Sequence, residues 1–219
     1  MLRIAIDGAC RRNGKPNCVA SGGVFIQQYD DGDLKQTSVL SAYEKGSTNQ
    51  RGELLALMKA LDYICASKQE AQIVTDSEYL FNAMTKDWHS RWQDNGWKTT
   101  TGEDVKNADI WREIRRLALM CASEVNYYHI KGHCISFGKV TADKLLKLDP
   151  SAKLLHSAIA KKYDESIILK EDLFDAAQKL SVKNNGFMLS EQALKDFVVS
   201  NTTVDAIATK VVEAADREI

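Results

Sequence analysis

The chain has 219 residues, 44% of them hydrophobic and 27% charged, with a formal net charge of −1. That balance fits one ordinary globular domain plus an extension, or two small domains, and it excludes a global basic field, so any nucleic-acid contact has to be a local patch. No apolar run is long enough to span a bilayer and no signal-peptide pattern opens the chain, while five cysteines (Cys10, Cys18, Cys65, Cys121 and Cys134) lack any CxxC pair, which together predict a cytoplasmic protein with reduced thiols.

Residues 2–9 alternate, with Leu2, Ile4 and Ile6 on one face and Arg3, Ala5 and Asp7 on the other, which predicts a strand. A turn follows over Arg11 to Asn17, then a second strand from Gly22. Asp30-Asp31-Gly32-Asp33 is a hairpin signal, and Thr37 to Tyr43 reads as a third strand. The period then changes. Leu54, Leu57, Met58, Leu61, Ile64 and Cys65 fall at helical spacing and predict a helix over 51–67. Ile73-Val74-Thr75 is a short buried strand, followed by a helix from Ser77, a Trp-rich segment, a helix over 104–122, a fifth strand over Glu124 to Ile130, and a helix from about Thr141 that passes or restarts at Pro150. Three antiparallel strands followed by α-β-α-β units predict an α/β fold, a five-stranded mixed sheet with helices flanking it. Beyond residue 163 the chain loses Trp, Cys, Pro and His, and Phe174, Leu180, Phe187, Leu194, Phe197 and Ile207 suggest short helices broken near Asn184-Asn185-Gly186 and Asn201-Thr202-Thr203. The expected division is therefore 1–163 and a helical C-terminal extension, 164–219.

Four acids are hard to place structurally. Asp7 ends one apolar run and Asp76 another, Glu53 borders the apolar stripe of its helix, and Asp143 opens the last strongly predicted helix of the first unit, ten residues after His133. Each has an ordinary explanation alone: a strand-end turn for Asp7-Gly8, a first-turn helix acid for Glu53 and Asp143, a helix N-cap for Asp76. Jointly they converge on one end of the sheet. Half-buried carboxylates cost free energy unless a cation holds them, which points to a shared divalent metal site.

The order and spacing of Ile6-Asp7-Gly8-Ala9-Cys10, Thr48-Asn49-Gln50-Arg51-Gly52-Glu53, Thr75-Asp76-Ser77, Trp97 with Asn107, and Lys131-Gly132-His133 followed by Ala142-Asp143 closely resemble type 1 ribonuclease H over about residues 1–160. The resemblance implies that Asp7, Glu53, Asp76 and Asp143 bind two Mg2+ ions, with Mn2+ as the alternative, and that His133 assists turnover from a loop. It further implies that Asn13, Thr48, Asn49, Gln50 and Asn107 contact nucleic acid. The Trp-rich segment, Trp88, Trp92 and Trp97, resembles the element that holds the DNA strand of a hybrid. The implied function is an endonuclease that cuts the RNA strand of RNA–DNA hybrids and leaves 3′-OH and 5′-phosphate ends, acting as a monomer. The other reading is a catalytically weak nucleic-acid-binding scaffold on the same fold. Two departures stand out: Gln93-Asp94-Asn95 replaces a basic cluster common in bacterial relatives, and Glu78 replaces a glutamine. The extension is expected to bind a protein partner or to supplement this grip, although its nine Lys/Arg against eleven Asp/Glu from residue 151 onward disfavour phosphate binding.

Overall fold

The structure is a computed structural model that describes residues 1–166, 175–176, 178–180, 182–183 and 188–217. Five strands, β1 (Leu2–Arg11), β2 (Val19–Asp30), β3 (Asp33–Lys45), β4 (Ala71–Thr75) and β5 (Val125–His129), form one sheet in the order β3-β2-β1-β4-β5. β1 to β3 are an antiparallel meander, and β4 and β5 join parallel to β1. Parallel neighbours need a crossover, and the helix α1 (Asn49–Ser67) supplies it between β3 and β4. The fold class expected above is the one observed.

One face of the sheet carries α1, with α4 (Ala108–Met120) packed against it. Leu2, Ile4 and Ile6 point to this side and join Leu54, Leu57, Leu61 and Ile64 in the main core. The approach is close enough that side chains are excluded at the crossing. A Cβ on Gly8 would meet the Glu53 backbone nitrogen at 2.5 Å, and one on Gly22 would meet the Gly52 carbonyl oxygen at 2.5 Å. Glycine at these positions lets the helix settle directly on β1 and β2.

The opposite face is covered by α7 (Glu191–Asp216), which runs across β1 and β2 and packs on α6 (Lys153–Glu165); α5 (Lys139–Leu148) packs on α6 and α7. β1 is therefore buried on both sides, and its second face reads along α7. Arg3 pairs with Asp196 at 2.8 Å, and Ala5 joins Phe25, Val204 and Ile207 in a small apolar cluster. Leu194, Phe197 and Val198 are buried in a further cluster with Val74, Ile130 and Ile159. The apolar positions of the C-terminal helix thus lie against the sheet of the same chain.

Several expectations need correction. The break at Asn201-Thr202-Thr203 is absent, and α7 is continuous through it. The hydroxyls that favour turns are absorbed within the helix: Thr202 and Thr203 donate to the carbonyls of Val198 and Val199, and Ser200 donates to Gln27 Oε1. Phe174, Phe187 and Asn184-Asn185-Gly186 lie outside the described residues. The expected helix over 104–122 starts only at Ala108, because the preceding residues close a loop in which Lys98 bridges to Asp104 and Val105 is buried. The chain restarts at Pro150 rather than passing it, so α5 and α6 are separate. Cys10 and Cys18 are joined as a disulfide, against the expectation of reduced thiols. They lie at the two feet of the β1–β2 hairpin, and strand register rather than cysteine spacing brings them together. No helix among the described residues is long and apolar enough to cross a membrane.

His156 on α6 stacks at 5.4 Å on Phe25 and lies 3.3 Å from Gln27 Nε2. Burial pushes its pKa down from 6.5 to about 4. The unfolded chain therefore takes up this proton first, so the stability contributed by neutral His156 is present above pH 6.5 and lost as pH falls toward 4. Thermal melts of wild type and His156→Gln between pH 7 and 4 should show the variant losing less stability on acidification; parallel curves would contradict this.

Candidate active site

The parallel pairing of β1 with β4 aligns Ala5 with Val74, and continuing that register places Asp7 opposite Asp76 at one end of the sheet. β5 ends beside them, with Ile130 N–H donating to the Thr75 carbonyl, and leads into the loop bearing Gly132 and His133. Gly132 sits so near Asp76 Oδ2 that a Cβ there would overlap the carboxylate. Glu53 arrives from the other side, its backbone seated on Gly8. Strand register and two glycine contacts together bring Asp7, Glu53 and Asp76 into one neighbourhood.

Asp7 and Glu53 are held by hydrogen bonds that leave part of each carboxylate free. Asp7 is 7% exposed and accepts the Gly8 N–H at 2.7 Å, and it has no ion-pair partner among the described residues. Glu53 accepts from Ser77 Oγ at 2.6 Å and from Asn49 Nδ2 at 3.2 Å. Ser77, not Asp76, caps the helix α2 (Glu78–Thr85), so Asp76 is not spent as the cap. His129 is 3.1 Å from the Asp76 carbonyl through Nε2 and serves the backbone there.

The electrostatics point to a missing positive charge. Burial raises the Asp7 pKa well above its ordinary value, and the charges of Asp76, Asp205 and Glu53 raise it further. Burial also raises Glu53 and Asp76, with Ser77 opposing at Glu53 and His133 opposing at Asp76. Like-charged carboxylates that disfavour one another's ionisation are relieved by a hard cation, for which carboxylate oxygens are the suitable donors. Among the described residues no three His, Cys, Asp or Glu groups are gathered closely enough to hold a metal ion by themselves. An open set of oxygens suits Mg2+, which keeps several waters and takes further oxygens from substrate phosphate.

The other expected residues are distributed as follows. Asp143 lies on α5 and is bound 2.7 Å from Lys210 of α7, which holds its carboxyl below the usual range. His133 is exposed, has positive φ, and its Nδ1 is 3.7 Å from Asp205 of α7. Thr48 caps α1, Asn49 contacts Glu53, and Gln50 accepts from Asn107 Nδ2 at 3.3 Å, which ties the start of α1 to the start of α4. Asn13 is exposed at the tip of the β1–β2 hairpin. Trp88 and Trp92, on α3 (Trp88–Asp94), line a groove with Arg91, Asn95, Lys98, Thr99 and Thr100. Trp97 is buried instead, bonded to Gln93 through its indole N–H and covered by the Arg112 guanidinium at 4.9 Å. Asp205 was missed by sequence reasoning, since it belongs to no motif and only the fold of α7 brings it to this end of the sheet.

A family model for RNase H matches residues 2–149. The chain belongs to the ribonuclease H family. The ribonuclease H of Acetivibrio thermocellus is 33% identical over 144 residues, which is 66% of this chain and 90% of that protein. LC9-RNase H1, described as a type 1 RNase H with the type 2 active-site motif, shares the fold with a TM-score of 0.52 and 24% identity over 60% of this chain and 63% of its own. The foamy viral protease-reverse transcriptase, solved in complex with an RNA/DNA hybrid, shares it with a TM-score of 0.51 and 17% identity over 59% of this chain and 17% of its own. The protein is a ribonuclease H enzyme, and the family match ends before α6 and α7 begin.

The raised pKa of Asp7 carries a stability consequence. Its contribution is full below the ordinary value of 3.8 and is lost as pH rises through the raised folded value. In metal-free buffer at neutral pH, Asp7→Asn should therefore raise Tm. The gain should shrink on acidification toward pH 4; a lowered Tm in EDTA would refute this account of the carboxylate.

Proposed function

We propose that this ribonuclease H is an endonuclease that hydrolyses the RNA strand of RNA–DNA hybrids, with Asp7, Glu53 and Asp76 holding divalent metal at the end of the sheet. The observation that carries the reading is the buried Asp7, flanked by like charges and lacking a counter-ion among the described residues. The fourth position has two claimants, Asp143 and Asp205. Mg2+ fits this oxygen donor set, with Mn2+ as the alternative, and a pair of ions roughly 4 Å apart would activate a water and neutralise the leaving oxygen of an in-line displacement.

The chain's own groups do the rest. The Gly8 N–H orients Asp7, and Ser77 and Asn49 orient Glu53. Water forms the new P–O bond as the P–O3′ bond breaks, which gives 5′-phosphate and 3′-OH ends, and the proton passes to the leaving oxygen. His133, exposed on the loop after β5, would carry protons at this rim. Asn13, Thr48, Asn49, Gln50 and Asn107 offer uncharged polar groups for sugar hydroxyls and phosphates, and the 2′-OH is the feature that separates RNA from DNA. Trp88 and Trp92 stack bases of the DNA strand, with Arg91 and Lys98 beside them replacing the basic cluster absent at Gln93-Asp94-Asn95. Buried Trp97 supports this groove from beneath. The protein acts as a monomer in the cytoplasm.

The deciding experiment is a gel assay of end-labelled RNA–DNA hybrid, RNA duplex, DNA duplex and single strands, each with Mg2+ and with EDTA. Only the hybrid should be cut, only in its RNA strand and only with metal; cleavage of RNA duplex at equal rate would refute the assignment. Stacking is worth about 1–3 kcal/mol per base, so Trp88→Ala should weaken hybrid binding by roughly tenfold. Unchanged affinity by fluorescence anisotropy would remove α3 from the interface.

A further inference from the structure

The residue that the family pattern assigns as fourth carboxylate is neutralised within the chain. Asp143 Oδ1 is 2.7 Å from Lys210 Nζ, with Lys139 and Lys147 as its other charged neighbours. Its helix, α5, packs on α6 and α7. The element that crosses the sheet next to Asp7 is α7. In the β1–β2 register Asp7 stands opposite Gly23, and a Cβ on Gly23 would meet the Ala208 nitrogen at 3.0 Å and the Val204 carbonyl oxygen at 3.2 Å. Ser21 Oγ donates to the Ala208 carbonyl at 2.6 Å and pins the same turn of helix. Asp205 lies in that turn, between Val204 packed on Ala5 and Ala208 packed on Gly23. Its Oδ2 is 3.7 Å from His133 Nδ1, on the loop that touches Asp76.

Resting on the metal-site reading above, we infer that Asp205, on a helix beyond the matched family region, is the fourth carboxylate of the metal site in place of Asp143. Asp7 itself is more than nine-tenths shielded from solvent and has no counter-ion among the described residues, so the neighbourhood requires a cation that the protein does not supply. Lys210 then has a structural role: it satisfies Asp143 and holds α5 against α7, as Lys139 does again through Glu213. The C-terminal helix is on this account part of the catalytic machinery, joining β1, α1 and the end of β4.

The test is direct metal binding by the intact chain, with Mn2+ titrated and the free ion followed by electron paramagnetic resonance, in wild type, Asp7→Asn, Asp205→Asn, Asp205→Glu and Asp143→Asn. Loss of a direct ligand should weaken affinity by at least about tenfold, the lower end of what lost supporting contacts cost a metal site. Asp7→Asn and Asp205→Asn should both show that loss, Asp205→Glu should bind more tightly than Asp205→Asn, and Asp143→Asn should bind as wild type. Hybrid cleavage should follow the same ranking. Thermal melts in EDTA confirm that each variant is folded; should Asp205→Asn fail to fold, Asp205→Glu carries the comparison. Wild-type affinity in both Asp205 variants, or a loss in Asp143→Asn matching that in Asp7→Asn, overturns the inference while leaving the metal site standing. Wild-type affinity in Asp7→Asn instead overturns the metal-site reading itself.

Discussion

The carboxylate of Asp7 has to be held within the central strand β1, just past the end of its pairing with β4, kept nearly out of water, and surrounded by more negative charge. Such an arrangement opposes folding, because desolvation and like charges both disfavour the ionised form. The rest of the structure compensates for it. The hydrophobic side chains of β1 are buried on both faces, and the glycine contacts at Gly8 and Gly22 let α1 seat without a gap. Burial of apolar surface, worth roughly 25 cal/mol per Å2, is what lets β1 carry an unneutralised charge. The strain between stability and chemistry is thus concentrated at one residue.

Parallel pairing is the second device. Because β1, β4 and β5 run the same way, β4 and β5 leave the sheet beside Asp7-Gly8 of β1 and continue into polar segments, Asp76-Ser77 and the Gly132-His133 loop. Functional groups gather at such strand ends because backbone there leaves the ladder and side chains meet across neighbouring exits. Ser77 shows the economy of the arrangement. One hydroxyl both caps α2 and orients Glu53, so helix start and site geometry are set by the same atom.

What was legible in the sequence was whatever had a short period or a local signature. The alternation around Ile4, the helical stripe from Leu54 to Ile64 and the hairpin at Asp31-Gly32 are all local, and all three appear in the fold. So do the motif acids Asp7, Glu53 and Asp76, which strand ends and one helix bring together. Three features were not legible. The Cys10–Cys18 bond depends on strand register. The continuity of α7 through Asn201-Thr202-Thr203 depends on hydroxyls finding partners within the helix and on the sheet. The position of Asp205 depends on where a long helix lands, which follows from packing on Gly23 and Ser21 and has no local sequence signal. Trp97 illustrates the limit in the other direction, since an aromatic among Trp88 and Trp92 reads as groove lining until burial assigns it to the core.

The distance along the chain between β1 and its cover has a further consequence, in the order of synthesis. Arg3 and Ala5 are made well before Asp196 and Val204, which cover them. Until then the sheet has one finished face and one bare one, with Phe25 and Ala5 open to water. Contacts between such remote segments are slow to form because the intervening loop has to close first. A nascent chain that has reached α6 therefore carries an exposed apolar sheet face until α7 docks.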